Sequence, residues 1–186
     1  MADGLTITVH ASDSILSKYG NQLAAVGNGL ARTVMARALN HEGDKGRTQV
    51  KRALTRVTGI SYNRIERGLA THRANQGSLR YELRQRGSET NLGLFQARQT
   101  GSGVSAAPWN KRHIFRGNNP SRGSFFLPGT PIVYIRTTKS SYPIEPLFGP
   151  NLAREIVKGE PAQAWRLVTS SLASRVGHEL ARVLPH

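Results

Sequence analysis

Apolar side chains change their period along the first sixty residues, and the change predicts the first elements. Leu5, Ile7 and Val9 alternate with Thr6 and Thr8, a β-branched period of two that predicts a short strand. From Ser12 or Asp13, either of which suits an N-cap, the period lengthens. Ile15, Tyr19, Leu23, Val26, Leu30, Val34 and Ala38 recur every three or four residues and form one helical stripe. This helix is expected to reach about Asn40 and to stop at Gly43. Gly20, Gly27 and Gly29 each cost it up to about 1 kcal/mol relative to alanine, so its stability depends on packing. Asp44 is placed to cap a second helix through about Val57, with Val50, Ala53, Leu54 and Val57 on one face and Lys45, Arg47, Lys51, Arg52 and Arg56 elsewhere. Thr58-Gly59 ends it.

Beyond that point the signals shorten. Ser61 or Asn63 starts a helical turn carrying Ile65 and Leu69. Ser78 to Arg84 alternates strictly, predicting a half-buried strand with Leu79, Tyr81 and Leu83 inward. Leu92 to Arg98 reads as a returning strand with Leu94 and Phe95 in the core. From Thr100 to Pro131, glycine, serine, asparagine and proline take over, predicting a long loop, a flexible hairpin or an arm. Pro131 to Arg136 is the best strand in the chain. Tyr142 to Pro150 cannot be helical, because its prolines remove donors and hold their predecessors extended. Asn151 to Lys158 suits a short helix closed by Gly159. Pro161 suits the first turn of a last helix to about Leu184, striped by Trp165, Val168, Leu172, Val176, Leu180 and Val183. The plan is α+β: long N-terminal and C-terminal helices packed on a small, mostly antiparallel sheet, with a long loop or arm at 100–131. The 186 residues suit one domain, 1–186, around one core.

Charge changes this picture more than size does. Lys and Arg number 26 against 11 Asp and Glu, a formal net charge of +15, and most of the cations are arginine. Such an excess attracts polyanions, either DNA phosphates or acidic faces of partner proteins, although a merely solvated surface is the alternative. The arginines are dispersed from Arg32 to Arg182, which favours broad interfaces over one sequence-reading element. With no cysteine, disulfides, thiolate metal sites and Cys nucleophiles are excluded. No apolar run of about 18 residues occurs, and Met1-Ala2-Asp3-Gly4 lacks a basic flank and apolar run, so a soluble, cytoplasmically made chain is expected.

Motifs for catalysis are lacking. His10, His41, His72, His113, His178 and His186 are far apart and show no metal-ligand spacing, and His178-Glu179 reads as a surface pair. Neither a nucleophile elbow nor a phosphate-binding or dinucleotide loop is present, and Gly101-Ser102-Gly103 suits a flexible tip. Glu66 and Glu82 are acid–base partners on paper only. The richest constellation is in the 100–131 segment. There Trp109, Phe115, Phe125 and Phe126 alternate with Arg112, Arg116 and Arg122, the composition of an interface anchor, of a base-stacking platform, or of the loop's own small core.

Two stretches carry a family likeness: Leu92-Gly-Leu-Phe-Gln-Ala-Arg-Gln-Thr-Gly-Ser-Gly-Val-Ser-Ala106 and Tyr142-Pro-Ile-Glu-Pro-Leu-Phe-Gly-Pro150, with Ala36-Arg-Ala-Leu-Asn40 before them. With the Trp109 region, Phe115, Phe125-Phe126 and Val133 to Arg136, roughly residues 25–160 resemble the prophage minor tail protein Z family of long-tailed phages. The resemblance implies a structural virion protein at the head-proximal end of the tail, assembled in the host cytoplasm, that completes the tail and prepares it to join the head. It implies a ring, six-fold by analogy with the tail tube. The expected partners are further copies of the chain, a tail terminator or tail tube protein, head–tail connector proteins and DNA passing through the ring, with no membrane. It transfers no catalytic residue, no cofactor and no metal, so the chain is expected not to be an enzyme. Trp109, Arg112, Phe115, Arg116, Arg122, Phe125 and Phe126 are then the candidate interface. A free, non-specific DNA-binding protein is the competing expectation. A peptidoglycan-cleaving tail enzyme would need a carboxylate pair or metal set that the sequence lacks.

Overall fold

The computed structural model describes residues 5–10, 13–87, 89–116 and 123–184. Its first strand, β1 (Leu5–His10), is the alternating segment, with Val9 buried. Helix α1 (Asp13–Ala25) buries Ile15 and Leu23, while Ser12, one of the two expected caps, lies outside the described residues. The chain breaks next at Gly27, whose φ of 78° lies in the left-handed region that favours glycine, and not at Gly43. Helix α2 (Asn28–Thr58) then runs without interruption through Gly43 and Asp44. The two expected stripes merge accordingly: Leu30 is left exposed, while Val34 and Ala38 of the first and Val50, Ala53 and Leu54 of the second are buried on the one helix, with Leu39 beside them. α2 ends where expected, at Gly59 with φ 76°, whose N–H donates to the Thr55 carbonyl at 2.9 Å.

Packing explains why Gly43 is not a stop. After α3 (Tyr62–Gly68) come β2 (Leu69–His72) and β3 (Arg80–Gln85), which with β1 form an antiparallel sheet in the order β1-β3-β2. In β3, Tyr81 and Leu83 are fully buried, as the alternation predicts. A Cβ added to Gly43 would lie 2.5 Å from the Tyr81 ring, so the bare backbone of α2 is the surface on which that ring sits. One turn on, a Cβ on Gly46 would lie 2.8 Å from the Trp165 ring. Trp165 belongs to α5 (Gly159–Ala181), whose expected stripe is buried at Trp165, Leu172, Val176 and Leu180. The two rings are 6.1 Å apart, and the Trp165 indole N–H donates to the Thr8 carbonyl of β1 at 3.2 Å. α2 and α5 share the largest contact of any two elements. Asn40, in the Ala36–Asn40 stretch, clamps the next loop with paired hydrogen bonds, both 2.9 Å, to the backbone N–H and C=O of Ala74.

The second half departs further from the sequence expectation. No strand runs from Leu92 to Arg98. β4 (Glu89–Asn91) leads into a single 3-10 turn, Leu92–Leu94, which buries Leu92 and Phe95 and turns Leu94 outward. The described part of 100–131, expected as a long loop, a flexible hairpin or an arm, carries short strands. β5 (Arg98–Thr100), β6 (Gly103–Ala106) and β7 (His113–Phe115) form an antiparallel meander, with Val104 and Ala106 fully buried. Ser124 clasps the returning chain to it: its hydroxyl donates to the Phe115 carbonyl and accepts from the Val104 N–H at 2.8 Å. β8 (Phe125–Phe126) then pairs with β9 (Val133–Arg136), and β9 with β10 (Ile144–Pro146). β11 (Phe148–Asn151) returns to β4. The proline-rich connector is thus extended, as expected, and its Gly149 lies against the Phe95 ring, where a Cβ would come within 2.6 Å. The 92–106 and 142–150 stretches therefore pack on each other. Asn151 caps α4 (Leu152–Ile156), accepting from the Ala153 N–H at 3.0 Å, before α5 begins.

The fold is α+β, but its strands form four small antiparallel sheets instead of one. The glycine seats give a paired test. Gly43→Ala is expected to lower unfolding stability by about 1–3 kcal/mol, the usual cost of overpacking. Gly20→Ala, in a helical position with nothing within 4 Å, is expected to raise it by about 0.5–1 kcal/mol. Urea unfolding of both variants checks this, and equal effects would remove the close-approach explanation.

Candidate interaction face

Tertiary folding gathers polar groups that are distant in sequence, and the largest gathering spans α2 and α5. Glu42, buried in α2, accepts from the Ser171 hydroxyl at 2.6 Å and the Lys45 ammonium at 3.0 Å, and lies 3.0 Å from His41 Nδ1. A serine, a histidine and a carboxylate in contact invite comparison with a nucleophilic triad. The order is wrong for one: Ser171 and His41 both bond the carboxylate, and Ser171 also bonds the Val168 carbonyl, so no base faces the hydroxyl. Burial raises the Glu42 pKa, and hydrogen bonds from Ser171, Lys45 and His41 outweigh it, holding the carboxyl below its ordinary value.

The remaining clusters are ion pairs of similar kind. Asp44 accepts from the Tyr81 hydroxyl at 2.9 Å and pairs with Arg73; burial, aided by that carboxylate, pushes the Tyr81 pKa up. Lys51, 4% exposed, reaches Glu66 at 2.8 Å and stands 4.4 Å over the Tyr62 ring, and Arg47 meets the same carboxylate. Glu66 is thereby held below its usual value, first by the Lys51 hydrogen bond. Glu82 pairs with Arg80, so the two glutamates singled out in the sequence are each engaged by their own cations. Among the described residues, no group of three His or acidic side chains could hold a metal ion.

Outward-facing groups collect elsewhere, around the turn between β6 and β7. Pro108–Asn110 form a single 3-10 turn in which Trp109 (φ 52°) and Asn110 (φ 55°) both sit in the left-handed region. For non-glycine residues this costs roughly 1–2 kcal/mol each, and it persists because the surroundings hold it. The holder is the end of α2: the Asn110 side-chain amide donates to the Arg56 carbonyl, and its oxygen lies against Gly59. The result is an indole 45% exposed on a pinned turn. Nearby, Ser105 and Ile114 are directly paired across β6 and β7 and so share a face. Arg112 spans that face, donating to Ser105 at 3.2 Å and to Gln96 at 3.3 Å. Gln96, Asn110 and the exposed Leu94 line one hollow beside it.

The sequence-predicted interface residues are distributed as follows. Trp109 and Arg116 are exposed, and Arg112 is exposed but bonded within the protein. Phe115 and Phe126 are half-buried and pack on the central core. Phe125 is half-buried too, 6.5 Å from the Tyr134 ring and with Arg136 4.2 Å above it. Arg122 lies outside the described residues. Leu94 and Ile114, each more than two-fifths exposed, are the apolar members that sequence reading missed. Leu94 was expected in the core, a place taken by Leu92 through the 3-10 turn.

Fold and face together define an α+β chain built on a helix pair and, among the described residues, four small antiparallel sheets, with a partly exposed tryptophan on a turn bonded to the end of α2. No protein-family model, curated protein or solved structure matches the chain.

The Glu42 cluster yields a pH prediction. Because the folded pKa lies below the ordinary 4.5, the cluster stabilises the fold above that pH and loses its contribution as pH falls through the lower folded value. Glu42→Gln is expected to flatten the decline in Tm just below about pH 4.5. Thermal melts of both proteins across that range provide the check, and an unchanged acid-side slope would count against it.

Proposed function

We propose that the chain is a structural virion protein, a minor tail or tail-completion protein at the head-proximal end of a phage tail, which assembles as a ring and prepares the tail for head joining. The sequence likeness over residues 25–160 supports the family reading. The observation that carries an assembly role is Trp109, a large aromatic side chain left 45% exposed by a turn whose backbone is held left-handed against the end of α2. Strain kept at an exposed anchor favours a docking function, because an anchor already in its bound geometry loses little entropy on association. Leu94 and Ile114 add exposed apolar surface, and the net charge of +15 suits acidic subunits or packaged DNA. No helix among the described residues is long and apolar enough to cross a membrane.

The charge also favours a second reading, a free protein binding duplex DNA non-specifically, whose affinity would fall steeply with salt. The two readings diverge in particles. Under the tail reading the protein co-purifies with virions, and phage lacking it accumulate unjoined heads and tails. Under the other reading it is absent from particles and joining proceeds. Within the tail reading, Trp109→Ala is expected to weaken subunit assembly by about 2 kcal/mol or more, roughly thirtyfold. A variant that joins tails as well as the parent would remove Trp109 from the interface.

A further inference from the structure

Most carboxylates of this chain are already engaged. Glu42, Asp44, Glu66, Glu82, Glu160 and Glu179 each face at least one cation. Arg64, Arg67 and Arg86, by contrast, have no ion-pair partner among the described residues, yet folding brings them together. Arg64 and Arg67 are three residues apart on α3 and share a face. Arg86 follows β3, and its backbone N–H donates to the Gly68 carbonyl at 3.2 Å, tying the end of the sheet to the end of that helix. All three line a hollow of about 300 Å³. Gln85 lines it as well; only 1% exposed, it has an amide oxygen without a hydrogen-bond partner. Its amide nitrogen occupies the space beside Gly68, where a Cβ would come within 2.5 Å. Arg64 and Arg67 also border the adjoining hollow of about 670 Å³, which is lined further by Leu94, Gln96 and Asn110.

Three like charges lining one hollow repel one another in the free protein, and an arriving oxyanion relieves that repulsion, whereas the unpartnered Gln85 amide oxygen calls for a donor, such as a peptide backbone N–H. We propose that these joined hollows dock an acidic segment of another protein, with a carboxylate seated among Arg64, Arg67 and Arg86 and an apolar side chain of the segment against Leu94. A carboxylate presents two oxygens that match the guanidinium fork. A second copy of this chain is a poor source, because its net charge is +15 and most of its own acids are paired. Nucleic acid fits less well than peptide. Glu89 lines the first hollow and Leu94 the second, whereas duplex DNA presents unbroken phosphate charge about every 1.7 Å of its axis. A peptide can space its acids around Glu89 and offer its backbone groups to Gln96 and Asn110.

The inference stands apart from the tail reading, since it concerns binding by the isolated chain wherever that chain works. Fluorescence anisotropy of the full chain with a short labelled peptide of Glu, Asp and Leu tests it, with labelled duplex DNA run in parallel. The pocket variant is Arg64→Glu with Arg67→Glu. The control is Arg37→Glu with Arg166→Glu, two exposed arginines outside the hollows, which gives the same net charge. Unchanged melting temperatures establish that both variants fold. The expected result is peptide binding weakened about tenfold or more by the pocket variant and less than about twofold by the control. Equal losses in the two variants would mean diffuse attraction and overturn the proposal. So would a parent chain that ignores the peptide at low salt, or a pocket variant that loses DNA binding while keeping the peptide.

Discussion

Two aromatic rings lying on the bare backbone of α2 hold the structure together. Tyr81 rests on Gly43 and Trp165 on Gly46, so β3 and α5 meet the same helix one turn apart. Each glycine costs the isolated helix up to about 1 kcal/mol. Burying an aromatic side chain contributes at least about 1.5–3 kcal/mol, so the exchange favours the packed state. The bond from the Trp165 indole to the Thr8 carbonyl extends the contact to β1, so the central strand of that sheet and one of its edges are both tied to the helix pair. Helix α2 is thus continuous because of what lies against it, although its own sequence invites a break.

The second half hangs from this frame by smaller contacts of the same kind. Phe95 seats against Gly149, which joins the turn after β4 to the proline-rich connector. Ser124 ties the segment leading into β8 to the β5-β6-β7 meander. Asn110 fastens the β6–β7 turn to the end of α2, so Trp109 is held in place by the longest helix of the fold. An exposed aromatic mounted in this way is closer to a preformed docking element than to a loose arm.

Charge is handled unevenly. Along α2, Glu42 and Asp44 are buried or half-buried among cations and hydroxyls and tie α2 to α5 and β3, and Lys51 reaches Glu66 of α3. Around α3 and the end of β3, Arg64, Arg67 and Arg86 have no ion-pair partner among the described residues. The first arrangement serves cohesion; the second leaves capacity for an outside anion.

Periodicity read along the chain identified β1, β3, β9, the Gly59 cap and the stripe of α5, because each depends on side chains a few residues apart. It also anticipated an α+β fold and an extended 142–150 connector, since proline geometry is local. It misplaced the helix break, because glycine permits both a stop and a close approach, and only Tyr81, far along the chain, selects the second at Gly43. It took Leu94 for core and read 100–131 as a loop, flexible hairpin or arm without placing its strands, because strands of two to four residues leave no readable period and exist only through their partners. Arg64 and Arg67 stood in plain view at helical spacing, but nothing local ties them to Arg86 and Gln85. Local sequence determined which segments were helical or extended and how much positive charge the chain carries. Tertiary structure alone decided which glycines are seats, which arginines converge and which tryptophan faces out, since these depend on contacts between residues that sequence distance keeps apart.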